Sequence, residues 1–98
     1  MKWNQKSITE WGSKTFGEPK GGPREVAVRA NKEMAELLSA LEHGKYELAI
    51  EECADVMIVL MQVMHRLGGD MAVEVDLKMD INEQRSWLQM PDGSFQHA

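Results

Sequence analysis

The sequence predicts an all-α fold, a four-helix bundle in one domain spanning residues 1–98. Three observations carry this. Apolar residues recur at three- and four-residue spacing over long windows, which is the helical period. Breaker residues divide the chain at 17–23, at Gly44 and at Gly68-Gly69. No stretch reads as a strand, and there is no internal repeat or low-complexity tract. A chain of 98 residues has room for only a limited core, so an oligomer that shares apolar surface is expected.

The first helix is expected over residues 6–16, with Ile8, Trp11 and Phe16 on one side. Trp11 and Phe16 are expected to anchor it to a core; the alternative is that one of them stacks on a planar ligand. Residues 17–23 form a flexible loop rich in glycine and proline. It has no phosphate-loop pattern and reads as a linker. It also suits a mobile flap, with Lys20 reaching into a site.

Pro23 fits the first turn of a second helix, which runs to His43 and stops at Gly44. Val26, Ala30, Leu37 and Ala40 form its apolar stripe, and Glu33 falls on that stripe. Met34, Leu38 and Leu41 widen the stripe on one side, and Glu36 lies at its other edge. A third helix is expected from Tyr46 to Leu67. From Cys53 to Met64 only Asp55 and Gln62 are polar, so this helix should be central. Leu48, Glu52, Asp55 and Val59 share one side of it, and Cys53 reads as a small core residue. Asp70 is a fitting N-cap for a fourth helix over residues 71–88, with Val73, Leu77 and Ile81 as its stripe. Residues 89–98 form a tail that contains a turn.

The chemistry lies in two acid pairs, Glu33 with Glu36 and Glu52 with Asp55. Each pair is spaced i, i+3 and so shares a helix face. An acid among apolar residues is costly unless a positive charge compensates it. Four carboxylates with no His or Cys partner make an all-oxygen site, which favours Mg²⁺ or Mn²⁺ over zinc or copper. The Glu-x-x-His pairs of di-iron bundles are absent. On the fourth helix Lys78, Asn82 and Arg85 share a face and suit phosphate oxygens and a sugar. Together the two groups read as metal-assisted hydrolysis of a phosphate ester or anhydride, with one acid orienting or deprotonating the attacking water.

The residues Lys32-Glu33-Met34-Ala35-Glu36, then Glu52-Cys53-Ala54-Asp55, then Lys78, Asn82 and Arg85 resemble the signature of the MazG-like all-α NTP pyrophosphohydrolases. That signature is Glu-Glu-x-x-Glu, a gap, Glu-x-x-Asp, and a later Lys, Asn, Arg element. Lys32 stands where the pattern has its first Glu, which leaves four acids rather than five. The resemblance extends over about Trp11 to Trp87. Trp11 with Thr15-Phe16-Gly17, and Asn82-Glu83-Gln84-Arg85-Ser86-Trp87, are most similar to the dATP/dGTP diphosphohydrolase branch.

The resemblance implies a four-helix MazG-like bundle that cleaves a (d)NTP, dGTP or dATP in this branch, to (d)NMP and pyrophosphate. It implies two or three Mg²⁺ or Mn²⁺ ions per site and a homodimer or homotetramer, with sites completed across subunits. Carried over by position, Glu33, Glu36, Glu52 and Asp55 are metal ligands, and Glu33 or Glu36 doubles as the base. Lys78 and Arg85 meet the phosphates, Asn82 the sugar or phosphate, and Lys32 a phosphate. Asn31, Trp11 and Phe16 are candidates for the base pocket by proximity and residue type.

Two alternatives stand beside this reading. One is the same fold acting on dUTP, dCTP or a damaged nucleotide. The other is a non-catalytic helical interaction module with a Met-rich binding surface; against it, a simple bundle has no reason to set Glu33 and Asp55 on apolar stripes. The formal charge of −5 argues against a nucleic-acid partner. No run approaches the roughly 20 apolar residues of a membrane span. A lone cysteine and the lack of a signal-peptide core suggest the cytoplasm, that of the host if the chain is phage-encoded.

Overall fold

The computed structural model describes residues 2–17 and 20–98, so part of the expected 17–23 loop lies outside the described residues. Four helices follow in order: α1 (Gln5–Phe16), α2 (Pro23–Glu42), α3 (Tyr46–Arg66) and α4 (Met71–Gln84). Each start has a local cause. Asn4 and Ser7 cap α1 reciprocally, Asn4 Oδ1 accepting from Ser7 N–H at 2.9 Å and Ser7 Oγ from Asn4 N–H at 2.9 Å. Pro23 opens α2, where the Glu25 carboxylate reaches back to Gly22 N–H at 2.9 Å. Asp70 caps α4 by accepting from Val73 N–H at 3.1 Å.

The turn between α2 and α3 depends on Gly44, whose φ of 68° suits glycine. Beyond it Lys45 N–H bonds back to the Ala40 carbonyl at 2.8 Å. At the far end of α3 a Cβ on Gly69 would meet Met64 Sδ at 2.6 Å. The chain therefore turns tightly at both ends of α3.

α2 and α3 form an antiparallel hairpin, and α1 packs on α3, which is thus the central helix as expected. The buried apolar residues are Val26 and Ala40 on α2 and Ala49, Val56, Val59 and Met61 on α3. The predicted α2 stripe is confirmed, since Ala30 and Leu37 are half-buried beside Val26 and Ala40. Ala40 and Ala49 let the two helices approach closely near their turn.

Gln5 ties α1 to the α3–α4 turn. Its Nε2 donates to the Gly69 carbonyl at 2.8 Å, and its Oε1 accepts from Met71 N–H at 2.6 Å. Gln5→Ala leaves both backbone groups without that partner. We expect a stability loss of about 1–3 kcal/mol, read as a lower urea midpoint with an unchanged slope.

Several expectations are corrected. α4 ends at Gln84, not residue 88, and the tail is a hairpin: β1 (Trp87–Gln89) pairs antiparallel with β2 (Phe95–His97). The Trp87 indole N–H donates to the Asn82 carbonyl at 3.1 Å, which turns the chain out of the helix. Cys53 is exposed rather than a core residue. Trp11 and Phe16 do not anchor a core; they are 47% and 76% exposed, and their rings meet edge to face at 5.4 Å.

Among the described residues α4 packs closely on no other helix of its own chain. On the helix Val73, Leu77 and Ile81 share one face, as expected, and Val75 and Met79 lie on the opposite one. All five are exposed. The radius of gyration is 16.0 Å, against about 13 Å for a compact chain of this length. This single chain does not enclose its own apolar surface.

Candidate metal centre

The site sits on the α2–α3 hairpin, near the end where the two helices join. Glu33 and Glu36 lie one turn apart on α2, and Glu52 faces them from α3. Each offers a carboxylate oxygen, and those oxygens all lie within 4.8 Å of one another. Glu33 and Glu52 are half-buried, while Glu36 is exposed. One oxygen of Glu52, Oε2, is buried with no hydrogen-bond partner among the described residues. Asp55 is exposed and stands outside this close trio, but its charge acts on both Glu33 and Glu52.

The electrostatics follow from the crowding. Glu33 holds its proton more tightly than an ordinary glutamate, first because it is partly withdrawn from water. The charge of Glu36 and a hydrogen bond with it add to this, then the charge of Asp55; Arg29 opposes them. Glu52 is shifted the same way, again first by withdrawal from water and then by the charges of Glu36, Asp55 and Glu33. Like charges held this close favour either a shared proton or a cation.

The donor set fits a hard divalent cation. It is all oxygen, it carries several negative charges, and it includes a buried oxygen with nothing to accept from. Bound there, Mg²⁺ or Mn²⁺ would supply the missing positive charge and draw phosphate oxygens and water to it.

A small groove of about 230 Å³ opens beside the trio, lined by Glu36, Glu52, Ser39, His43 and Lys45 among others. His43 Nδ1 bonds the Ser39 carbonyl at 2.7 Å. A larger cavity of about 720 Å³ lies between α1, the start of α2 and the end of α3. Phe16 and Lys20 line it, as does Arg29, four residues before Glu33. Trp11 touches it only through Phe16, and Asn31 and Lys32 are exposed and line neither space.

Lys78, Asn82 and Arg85 all lie on α4 or at its end and line neither space. Lys78 is exposed, Asn82 and Arg85 half-buried. Arg85 is the C-cap residue, extended and just beyond α4, so it leaves the helical face expected to join it to Lys78 and Asn82; it leans toward His97 Nδ1 at 3.5 Å. The single chain therefore does not bring these three to the carboxylates.

Sequence reasoning missed Arg29, Lys45, Gln62, His65 and Arg66. Arg29 had a signal, because it is one turn before Glu33 on the same face. Lys45 sits in the turn, and the last three sit at the end of α3; only the folded hairpin shows what they face.

A mainly helical chain that gathers carboxylates from two antiparallel helices has the donor arrangement of a helical carboxylate metal site. No protein-family model matches the chain. It is 38% identical over 96 residues to a dATP/dGTP diphosphohydrolase of Salmonella phage PMBT28, covering 96% of this chain and 30% of that protein. The chain thus spans under a third of the length of this relative. It also superposes on the MazG-like pyrophosphohydrolase of cyanophage S-2L, with a TM-score of 0.75 and 26% identity over 96% of this chain and 92% of the other. That protein was solved with dGDP and three catalytic Mn²⁺ ions per active site. The chain has the fold of a MazG-like pyrophosphohydrolase.

Proposed function

We propose that this chain is a metal-dependent nucleoside triphosphate pyrophosphohydrolase that converts dGTP or dATP to the monophosphate and pyrophosphate. The observation that carries the reading is the trio Glu33, Glu36 and Glu52, whose carboxylate oxygens lie within 4.8 Å of one another. The named activities and bound nucleotide of the two similar phage proteins support it.

In this reading Glu33, Glu36, Glu52 and Asp55 hold Mg²⁺ or Mn²⁺, two or three ions per site. The cations neutralise the phosphates and favour ionisation of water. Glu33 or Glu36 takes the proton of the attacking water. Water oxygen bonds to the α-phosphorus, the bond to the bridging oxygen breaks, and pyrophosphate leaves.

The phosphate-binding side chains come from a second copy. α4 carries Lys78 and Asn82, with Arg85 at its end, together with two apolar faces its own chain leaves uncovered. A homodimer or homotetramer covers that surface and sets the α4 cations of one copy opposite the acids of another. Among the described residues no helix is long and apolar enough to cross a membrane. The cytoplasm, that of the host for a phage enzyme, is where the nucleotides are.

A panel of the eight common NTPs and dNTPs tests the substrate. Pyrophosphate release with Mg²⁺ or Mn²⁺, confined to dGTP and dATP, is the expected result. Preference for dUTP or dCTP would keep the chemistry and discard the purine assignment.

A further inference from the structure

α4 leaves the hairpin from the α3–α4 turn and, among the described residues, packs closely on no other helix. Its direction is therefore set where it starts. Gly68, at φ 78°, turns the chain out of α3, and Asp70 caps α4 by accepting from Val73 N–H. Among the described residues one side chain of another helix hydrogen-bonds this turn, that of Gln5 on α1. Its amide donates to the Gly69 carbonyl at 2.8 Å and accepts from Met71 N–H at 2.6 Å. The two backbone groups flank the N-cap, so one planar amide clamps the point from which α4 departs.

The clamp has a firm base. Gln5 opens α1, where Asn4 and Ser7 cap each other and Thr9 Oγ1 donates to the Gln5 carbonyl at 2.8 Å. α1 in turn packs on α3. The packing of α1 on the hairpin is thus passed to α4 through Gln5. At 1.5 Å per residue Lys78 lies about 10 Å along the helix from Met71, and Arg85 about 20 Å. A tilt of about 15° at Met71 therefore moves Lys78 by about 3 Å and Arg85 by about 5 Å. Either displacement is enough to break a hydrogen bond to a phosphate oxygen.

We propose that Gln5 is a positioning residue for substrate binding: by clamping the start of α4 it sets where Lys78, Asn82 and Arg85 meet the phosphates held at another copy's acids. The inference rests on the nucleotide reading above. Gln5 lines neither the groove nor the cavity beside the hairpin, so it acts through α4.

Two variants break the clamp from opposite sides. Gln5→Met removes both hydrogen bonds and keeps the length of the side chain. Met71→Pro removes the N–H that Gln5 accepts from. Proline suits this first helical position, and Asp70 before it is already extended, at φ −124° and ψ 122°. The probe is the α,β-methylene analogue of dGTP, titrated calorimetrically in Mg²⁺, which binds without being cleaved. Both variants should weaken its binding about tenfold or more, because charge-assisted contacts to phosphate are lost. Mn²⁺ alone, followed by electron paramagnetic resonance, should bind both variants as it binds the unaltered protein. Sedimentation velocity should show the same assembly. A variant that is only destabilised would instead show fewer binding sites at unchanged affinity.

Unchanged affinity for the analogue in either variant would overturn the proposal, since packing against neighbours would then aim α4 alone. So would an equal loss of Mn²⁺ affinity, or loss of the oligomer, either of which would make Gln5 a structural residue. The two readings fail differently. An unaltered protein that does not bind the analogue refutes the nucleotide reading and the clamp with it, whereas tight binding that both variants leave intact refutes the clamp alone.

Discussion

Glu52→Gln is expected to abolish hydrolysis and, without a divalent cation, to raise thermal stability at neutral pH. The two effects share one cause. Glu52 is half-buried, one of its oxygens has no partner, and Glu36 and Glu33 face it with like charge. Its proton affinity is raised in the folded chain, first by withdrawal from water and then by Glu36. The folded chain therefore binds protons that the unfolded chain releases. Stability without a cation falls as pH rises above the ordinary value of 4.5. A neutral amide of the same shape removes that repulsion.

The same change removes a cation ligand, and activity should fall by at least about a hundredfold. Differential scanning fluorimetry in EDTA, then in Mg²⁺, reads both sides. The unaltered protein should be stabilised by Mg²⁺ more than the variant is. Full turnover by Glu52→Gln with Mg²⁺ would refute the assignment of this residue to the cation. Glu51→Gln, at the exposed neighbouring position, should change neither quantity.

Leu77→Glu is the second large effect. In the single chain Leu77 is 53% exposed, and a charge at such a position changes stability by no more than about 0.5 kcal/mol. If a second copy covers α4, the same Glu is buried without a partner, at a cost of several kcal/mol, on the order of 2–7. The expected result is loss of the oligomer by sedimentation velocity and loss of activity with it, since Lys78, Asn82 and Arg85 travel on the same helix. An unaltered sedimentation coefficient would show that α4 is not the interface. The unaltered protein should also unfold at a denaturant midpoint that rises with protein concentration, which a monomer would not do.

Helix positions were legible in the sequence because their causes are local. Pro23, Gly44 and Asp70 each act within one turn, and the α2 stripe from Val26 to Ala40 needs only the helical period. The pairing of Glu33 and Glu36 with Glu52 followed from the same logic, because two antiparallel helices joined by a short turn must set their inner faces together. Three things were not legible. The exposed state of Cys53 depends on which side of a nearly all-apolar helix meets a neighbour, and α3 has more apolar sides than one chain covers; that of Trp11 and Phe16 depends on which side of α1 meets α3. α4 kept its helical prediction despite alternating apolar residues, but its uncovered faces are a property of packing. The β1–β2 hairpin escaped notice because Trp87-Leu88-Gln89 and Phe95-Gln96-His97 are too short to show a pattern; the turn at Pro91-Asp92-Gly93 was its one visible sign.

The acids and the cations illustrate the difference between spacing and placement. Spacing put Lys78 and Asn82 on one face of α4. It did not determine that α4 leaves its own hairpin, which makes the partner copy part of the proposed site. Arg66 is the converse case: nothing around it in sequence marks it, yet the fold fixes one of its nitrogens and buries the other.

In the proposed reaction the hairpin carboxylates serve cleavage between the α- and β-phosphates. The most direct measurement is phosphorus NMR of dGTP incubated with the protein, with Mg²⁺ and with EDTA. The expected products are dGMP and pyrophosphate in the presence of Mg²⁺, with dGTP unchanged in EDTA. Formation of dGDP and inorganic phosphate, or equal turnover in EDTA, would contradict it.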